Sequence, residues 1–209
     1  MNDICADLHL KLDRLQHYHF PFDETKLPLN GIYILFEDGE KAHGTNRIVR
    51  VGTHTGQNHL PSRLNQHFLE ENKDRSIFRK NIGRALLNKR NDPFLEKWEL
   101  DLTTREAKDK YGNLIDPEKL RRIEHEVSIY IQSHFQFMVF PVPKKEDRLL
   151  LESRIISTVS LCKNCRPSAD WLGLSSPKEK IRQSGLWIVN ELYKRPLSQV
   201  EFGKLTQLF

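Results

Sequence analysis

No apolar run in this chain approaches the ~18 residues a membrane-spanning helix requires, so no membrane partner is expected. Its first residues, MNDICADLHLKLDRL, carry Asp3, Asp7 and Asp13 where a signal peptide would place a basic start and an apolar block. The expected location is therefore cytoplasmic. Cysteine is scarce, with three in all: Cys5, and the pair Cys162 and Cys165 in CKNC. An odd count without an export signal argues against a disulfide framework. One CxxC by itself lacks the second ligand pair of a structural zinc site, so these cysteines read as reduced thiols near a helix end. Internal repeats and low-complexity segments are also missing.

What is present is an ordinary polar-surfaced composition. Of 209 residues, 38% are hydrophobic and 29% charged, enough for a single domain with a true core. The net charge is +5, and it is unevenly spread. Between Lys73 and Lys97 stand eight basic residues (Lys73, Arg75, Arg79, Lys80, Arg84, Lys89, Arg90, Lys97) against Asp74, Asp92 and Glu96. A concentrated basic segment is the footprint of a phosphate-backbone binder, although a solvated helix face has the same composition.

Apolar periodicity predicts a helix over 3–16 through Ile4, Leu8, Leu12 and Leu15. A loop with Pro21 and Pro28 follows. The runs Ile32–Phe36 and Ile48–Val51 are rich in β-branched residues and predict a hairpin with a long polar loop, in which Lys41 and His43 stand. Helices are expected from Pro61, across SIFRKNIGRALL, from Pro117 and across KKEDRLLLESRIISTVSL. FQFMVFPV reads as a third, central strand. The expected fold is α/β: a small sandwich with a central three-stranded mixed or antiparallel sheet, flanked by helices and carrying helical insertions. The expected organisation is one domain, 1–209. Its core spans about 28–88 and 135–173, with a basic helical insertion over about 73–134. An N-terminal helix occupies 1–20 and a C-terminal helical extension 174–209.

Several polar residues stand out against this frame. Tyr33 alternates with Ile32 and Ile34 and faces away from them. Arg63 and His67 are i, i+4 on one helix and project together, with Leu64 and Phe68 on the adjacent inward face. Arg63 offers a planar, permanently charged fork for phosphate, and His67 could donate a hydrogen bond or share a proton. Glu152 interrupts an otherwise apolar helical run, at the border of its apolar face. Each has a plainer reading: a cross-strand packing tyrosine, two residues on the wet side of an amphipathic helix, a surface carboxylate paired with a cation.

The pieces GIYIL, VRVGTHT, LPSRLNQHF, the helix bearing Glu152, and NCRPSADWLG together resemble the GIY-YIG nuclease superfamily. The order of the motifs, the hairpin context and the Arg-x-x-x-His spacing carry the resemblance, which is closest in layout to the restriction-endonuclease branch. It implies a metal-dependent DNA endonuclease, with Tyr33, Arg63, His67 and Glu152 as catalytic residues. Glu152 would be the ligand of one Mg²⁺ (or Mn²⁺) ion per active site, an ion that takes one or two carboxylates and keeps several waters. Tyr33 would act as general base, needing a neighbouring cation or the metal to lower its pKa from ~10. The chain departs from the family at Arg50, which stands where the second motif has tyrosine and cannot supply a phenol. His54 is the candidate to take part of that role.

Asn164 is a supporting residue. Continuous helix would carry it about 18 Å from Glu152, at an end of the cleft. Arg79, Lys80 and Arg84 are the expected phosphate contacts on DNA, positioning it without reading its sequence. DNA is the expected partner, bound by a homodimer if both strands are to be cut. A non-catalytic nucleic-acid-binding module on the same scaffold, or a repair or recombination nuclease, are the alternatives.

Overall fold

The computed structural model describes residues 3–208; Met1, Asn2 and Phe209, which fall in the expected terminal helices, lie outside the described residues. The hairpin is longer than its apolar runs indicate. β2 (Gly31–Ala42) and β3 (Thr45–Gly52) are joined by the two residues His43 and Gly44, both at positive φ (52° and 80°), the backbone that two-residue hairpin turns require. The polar stretch expected as loop stays in strand because its charges are satisfied there. Arg47 is fully buried against Glu40, and Glu37 accepts hydrogen bonds from Tyr130, Trp171 and Trp187.

β4 (Phe135–Pro141) pairs antiparallel with β2, and β1 (Tyr18–His19) pairs with β4 on its other side. The sheet is therefore four-stranded, in the order β1-β4-β2-β3, and entirely antiparallel. The additional strand is two residues long, too short to leave a periodicity in the sequence. β4 is internal, as its unbroken apolar run indicated.

Helices cover both faces. Tyr33, Leu35, Val49 and Phe137 pack against α2 (Leu60–Phe68), α3 (Ile77–Lys89) and α6 (Pro117–His134). Ile32, Ile34, Phe36, Met138 and Phe140 pack against α1 (Ile4–Leu12), α7 (Lys145–Leu161) and α9 (Gln199–Leu205). The basic segment is thus part of the main core: Phe78 and Ile82 of α3 are buried with Tyr33 and Leu35 in one cluster. Two short helices, α4 (Leu95–Trp98) and α5 (Arg105–Tyr111), punctuate the irregular stretch before α6, and α8 (Glu179–Ser184) ends at Gly185 in the left-handed conformation.

Candidate active site

β3 is an edge strand, and the site forms where it ends. The register pairs Tyr33 with Gly52 and Leu35 with Arg50, then Phe36 with Ile48. Val49 is thus an extra residue, a bulge that leaves Arg50 on the face that carries Tyr33 and Leu35. The Tyr33 ring lies directly across Gly52: a Cβ added there would sit 2.2 Å from the phenolic oxygen. Glycine is demanded here by close approach.

The Tyr33 hydroxyl lies 2.7 Å from His67 Nε2, and His67 Nδ1 lies 2.7 Å from Ser76 Oγ. Ser76 caps α3, its hydroxyl oxygen accepting from the Arg79 amide at 3.2 Å. His67 was expected to face a cleft beside Arg63; the structure buries it completely. The inward stripe of α2 runs through Leu60, Leu64, His67 and Phe68, so residue 67 falls between two apolar anchors. Burial, with the Arg63, Arg50 and Arg79 charges adding to it, holds the imidazole well below its ordinary pKa. At neutral pH it is uncharged, and its Nε2 is bonded to the Tyr33 hydroxyl.

Glu152 arrives from the opposite side of the sheet. α7 packs there through Ile155, Ile156 and Val159, and one turn earlier Glu152 emerges at the end of β3. Its Oε1 accepts from the Thr53 amide at 3.1 Å. Thr53 follows Gly52, so a single peptide unit separates the floor under Tyr33 from the carboxylate's anchor. Burial pushes the Glu152 carboxyl up, while Arg50, the Thr53 amide and Arg63 pull it back. Glu152 borders two hollows. One, of about 320 Å³, is lined also by Thr53, His54, His59, Ser62 and Arg63; the other, of about 450 Å³, by Arg50, Asn81 and Glu191.

Arg63 is half-buried, its Nη1 donating to Gln66 Oε1 (2.9 Å) and to the Arg75 carbonyl (3.0 Å). Arg50 is buried, donates through Nη1 to the Trp187 carbonyl, and lays its guanidinium 5.2 Å from the centre of the Phe78 ring. Its buried Nε has no partner among the described residues. His54 is held at both nitrogens: Nδ1 lies 2.8 Å from the Gly56 carbonyl and Nε2 accepts from the Gly31 amide at 3.4 Å. Burial lowers its pKa. That bonding makes His54 a brace for the loop after β3.

The structure therefore brings Tyr33 to His67, and Arg63, His54 and Glu152 to one hollow, with Arg50 in the next. Asn164 is exposed in the turn after α7 and lines neither hollow. Arg79, Lys80 and Arg84 are buried and paired within the protein, which removes the expectation that they contact DNA phosphates. Arg79 pairs with Glu124 (3.0 Å), Lys80 with Asp74 (3.1 Å), and Arg84 with both oxygens of Glu99. A cation already neutralised in the interior releases no counterion from a nucleic acid.

Sequence reasoning missed Ser76, Thr53 and Arg148. Arg148 is fully buried and donates to the carbonyls of His54, Gly56, Val142 and Pro143, fixing the loop that lines the hollow. Its one signal was its place, four residues before Glu152 on the same helix.

A hydrated divalent ion fits this donor set. Glu152 has no cation within ion-pair distance among the described residues. The 320 Å³ hollow beside it exceeds several times the ~30 Å³ a water occupies, and one carboxylate plus waters is what magnesium accepts. Residues 3–201 match the family model described as GIY-YIG domain. No curated protein and no solved structure matches the chain significantly.

Proposed function

We propose a function from one premise: this chain belongs to the GIY-YIG domain family, whose domain is of the nuclease type. The reading is a metal-dependent DNA endonuclease that hydrolyses phosphodiester bonds, of restriction or other defence type. The observation that carries it is the Tyr33–His67 hydrogen bond, stacked on Gly52 and one peptide unit from the Glu152–Thr53 contact.

Glu152 would hold the divalent ion, which when bound supplies positive charge against the phosphate oxygens. Arg63, facing the same hollow, offers a planar fork for the scissile phosphate. Tyr33 is the general base toward the attacking water in this reading, its oxygen held by the uncharged His67 imidazole, whose other nitrogen meets the Ser76 hydroxyl. His67 acts from behind Tyr33. Arg50 adds a charge beside Glu152 that pulls the carboxyl's pKa down against the upward push of burial. His54 and Arg148 hold the loop that shapes the hollow. DNA is the substrate in this reading, and a dimer would let two such sites cut both strands.

Arg50 also supports a second reading, nucleic-acid binding without cleavage, because it replaces a phenol with a cation. Incubating plasmid DNA with Mg²⁺ or Mn²⁺ and comparing wild type with Glu152→Ala separates the two. Metal-dependent cleavage lost in the variant is the expected result. Intact DNA from both proteins, with retained binding in a shift assay, would leave the binding reading.

A further inference from the structure

The cysteines that read as reduced thiols from the sequence converge in the fold. Cys5 and His9 come from α1, His43 from the tip of the β2–β3 hairpin, and Cys165 from the turn after α7. The potential ligand atoms of these four residues all lie within 4.8 Å of one another. Cys5 Sγ is 3.4 Å from Cys165 Sγ, and His43 Nε2 is 3.3 Å from Cys165 Sγ and 3.4 Å from Cys162 Sγ. Four ligands in a tetrahedron around zinc, at Zn–S about 2.3 Å and Zn–N about 2.0 Å, lie about 3.3–3.8 Å apart. The CxxC pair lacked a second pair of ligands in sequence. Helix α1 and the hairpin tip supply it.

We propose that Cys5, His43, Cys162 and Cys165 bind one structural Zn²⁺ ion. His9 stands behind them, since both of its nitrogens are engaged: Nδ1 donates to the Cys5 carbonyl (2.8 Å) and Nε2 accepts from the Ile48 amide (3.3 Å). Cys162 stands outside that four-residue cluster, grouped with Asp3 and His43, and its Sγ at 3.4 Å from His43 Nε2 makes it the fourth ligand in this proposal. Three thiolates and a neutral imidazole form a closed set with no open position, the arrangement of structural sites. The ion takes the cysteines as thiolates, and any thiol protons go to solvent. His43 is a non-glycine residue at φ 52°, and the proposed ligation accounts for a histidine at that turn position.

The site is independent of the one at Glu152. It lies at the opposite end of the hairpin from Gly52, seven residue steps along β3 or about 23 Å. Its effect is to fasten α1, the hairpin tip and the end of α7 to one point.

The test begins with metal analysis of the full chain, purified under reducing conditions without chelator; about one zinc per chain is expected. Apo protein titrated with Co²⁺ should show thiolate-to-cobalt charge transfer with the intensity of three thiolates, together with tetrahedral ligand-field bands. Cys165→Ser and Cys162→Ser should retain less than a tenth of the zinc, whereas His9→Ala and Glu152→Ala keep it. Retention in Glu152→Ala makes this result separable from the fate of the nuclease reading. Wild-type protein without zinc and without a cobalt–thiolate band would overturn the proposal, as would a Cys5–Cys165 disulfide in reduced preparations. Two-thiolate intensity would overturn the place given to Cys162.

Discussion

The phenolic oxygen of Tyr33 lies 2.7 Å from Nε2 of His67, and both side chains are buried. That bond fixes the phenolic oxygen at the end of β3, one peptide unit from the Thr53–Glu152 contact. Tyr33→Phe should therefore lower cleavage by about 10²–10⁴-fold, the scale of a lost general base. It should cost only about 1 kcal/mol of stability. Single-turnover kinetics beside a urea melt separate the two, and undiminished cleavage would remove Tyr33 from the mechanism.

Gly52 is expected to tolerate no side chain. The Cβ of Gly52→Ala would meet the Tyr33 ring as well as its oxygen, at 2.2–2.9 Å. Overpacking of this kind costs about 1–3 kcal/mol. Displacing Tyr33 should also reduce cleavage while circular dichroism stays native. A variant with wild-type melting and activity would contradict the observed packing.

His67 makes stability depend on pH. Its folded pKa is depressed below the ordinary ~6.5, so below that value the unfolded chain binds a proton that the folded chain resists. Stability is present in full above about pH 6.5 and falls as pH decreases, at up to about 1.4 kcal/mol per pH unit for one group. Urea melts of wild type between pH 7 and 5 should show this slope. His67→Gln should flatten it by about one proton, and an identical slope in the variant would exclude the assignment.

Glu152 carries the acid limb of metal binding. Its carboxyl is pushed up by burial, so the competing proton should displace the ion at a pH above the ~4.3 of an ordinary glutamate. Arg50 pulls that pKa down, and removing its charge in Arg50→Gln should move the limb to still higher pH. Mn²⁺ titrations across pH 4–8 measure both. A limb unmoved in Arg50→Gln would show that the two groups are not coupled.

Arg79 should behave as a structural cation. It pairs with Glu124 and donates to the His67 carbonyl and Ser128. Arg79→Ala leaves a buried carboxylate unpaired, at a cost of about 3–5 kcal/mol. The salt dependence of DNA binding, measured where the variant remains folded, should keep its slope. A slope reduced by about one would return Arg79 to the DNA interface.

The residues that mark the family were legible because their spacing is local. GIYIL, VRVG and LPSRLNQHF place a tyrosine, a glycine and an Arg–His pair on predictable elements, and the interruption of an apolar helix singles out Glu152. Helix periodicity also gave the apolar stripe of α2, yet it did not decide that His67 belongs inside it, since that depends on Tyr33 and Ser76 being there to receive its nitrogens. The basic run misled for the same reason. Charge is visible in sequence, whereas Asp74, Glu99 and Glu124, the partners that neutralise Lys80, Arg84 and Arg79, are brought in by packing. The cysteine–histidine cluster is the extreme case: its ligands come from three segments up to 160 residues apart, and no spacing rule spans that distance. Composition and periodicity fixed which elements form and what chemistry they carry. Only the tertiary structure decided which polar groups meet, because a buried polar group settles where its partners are.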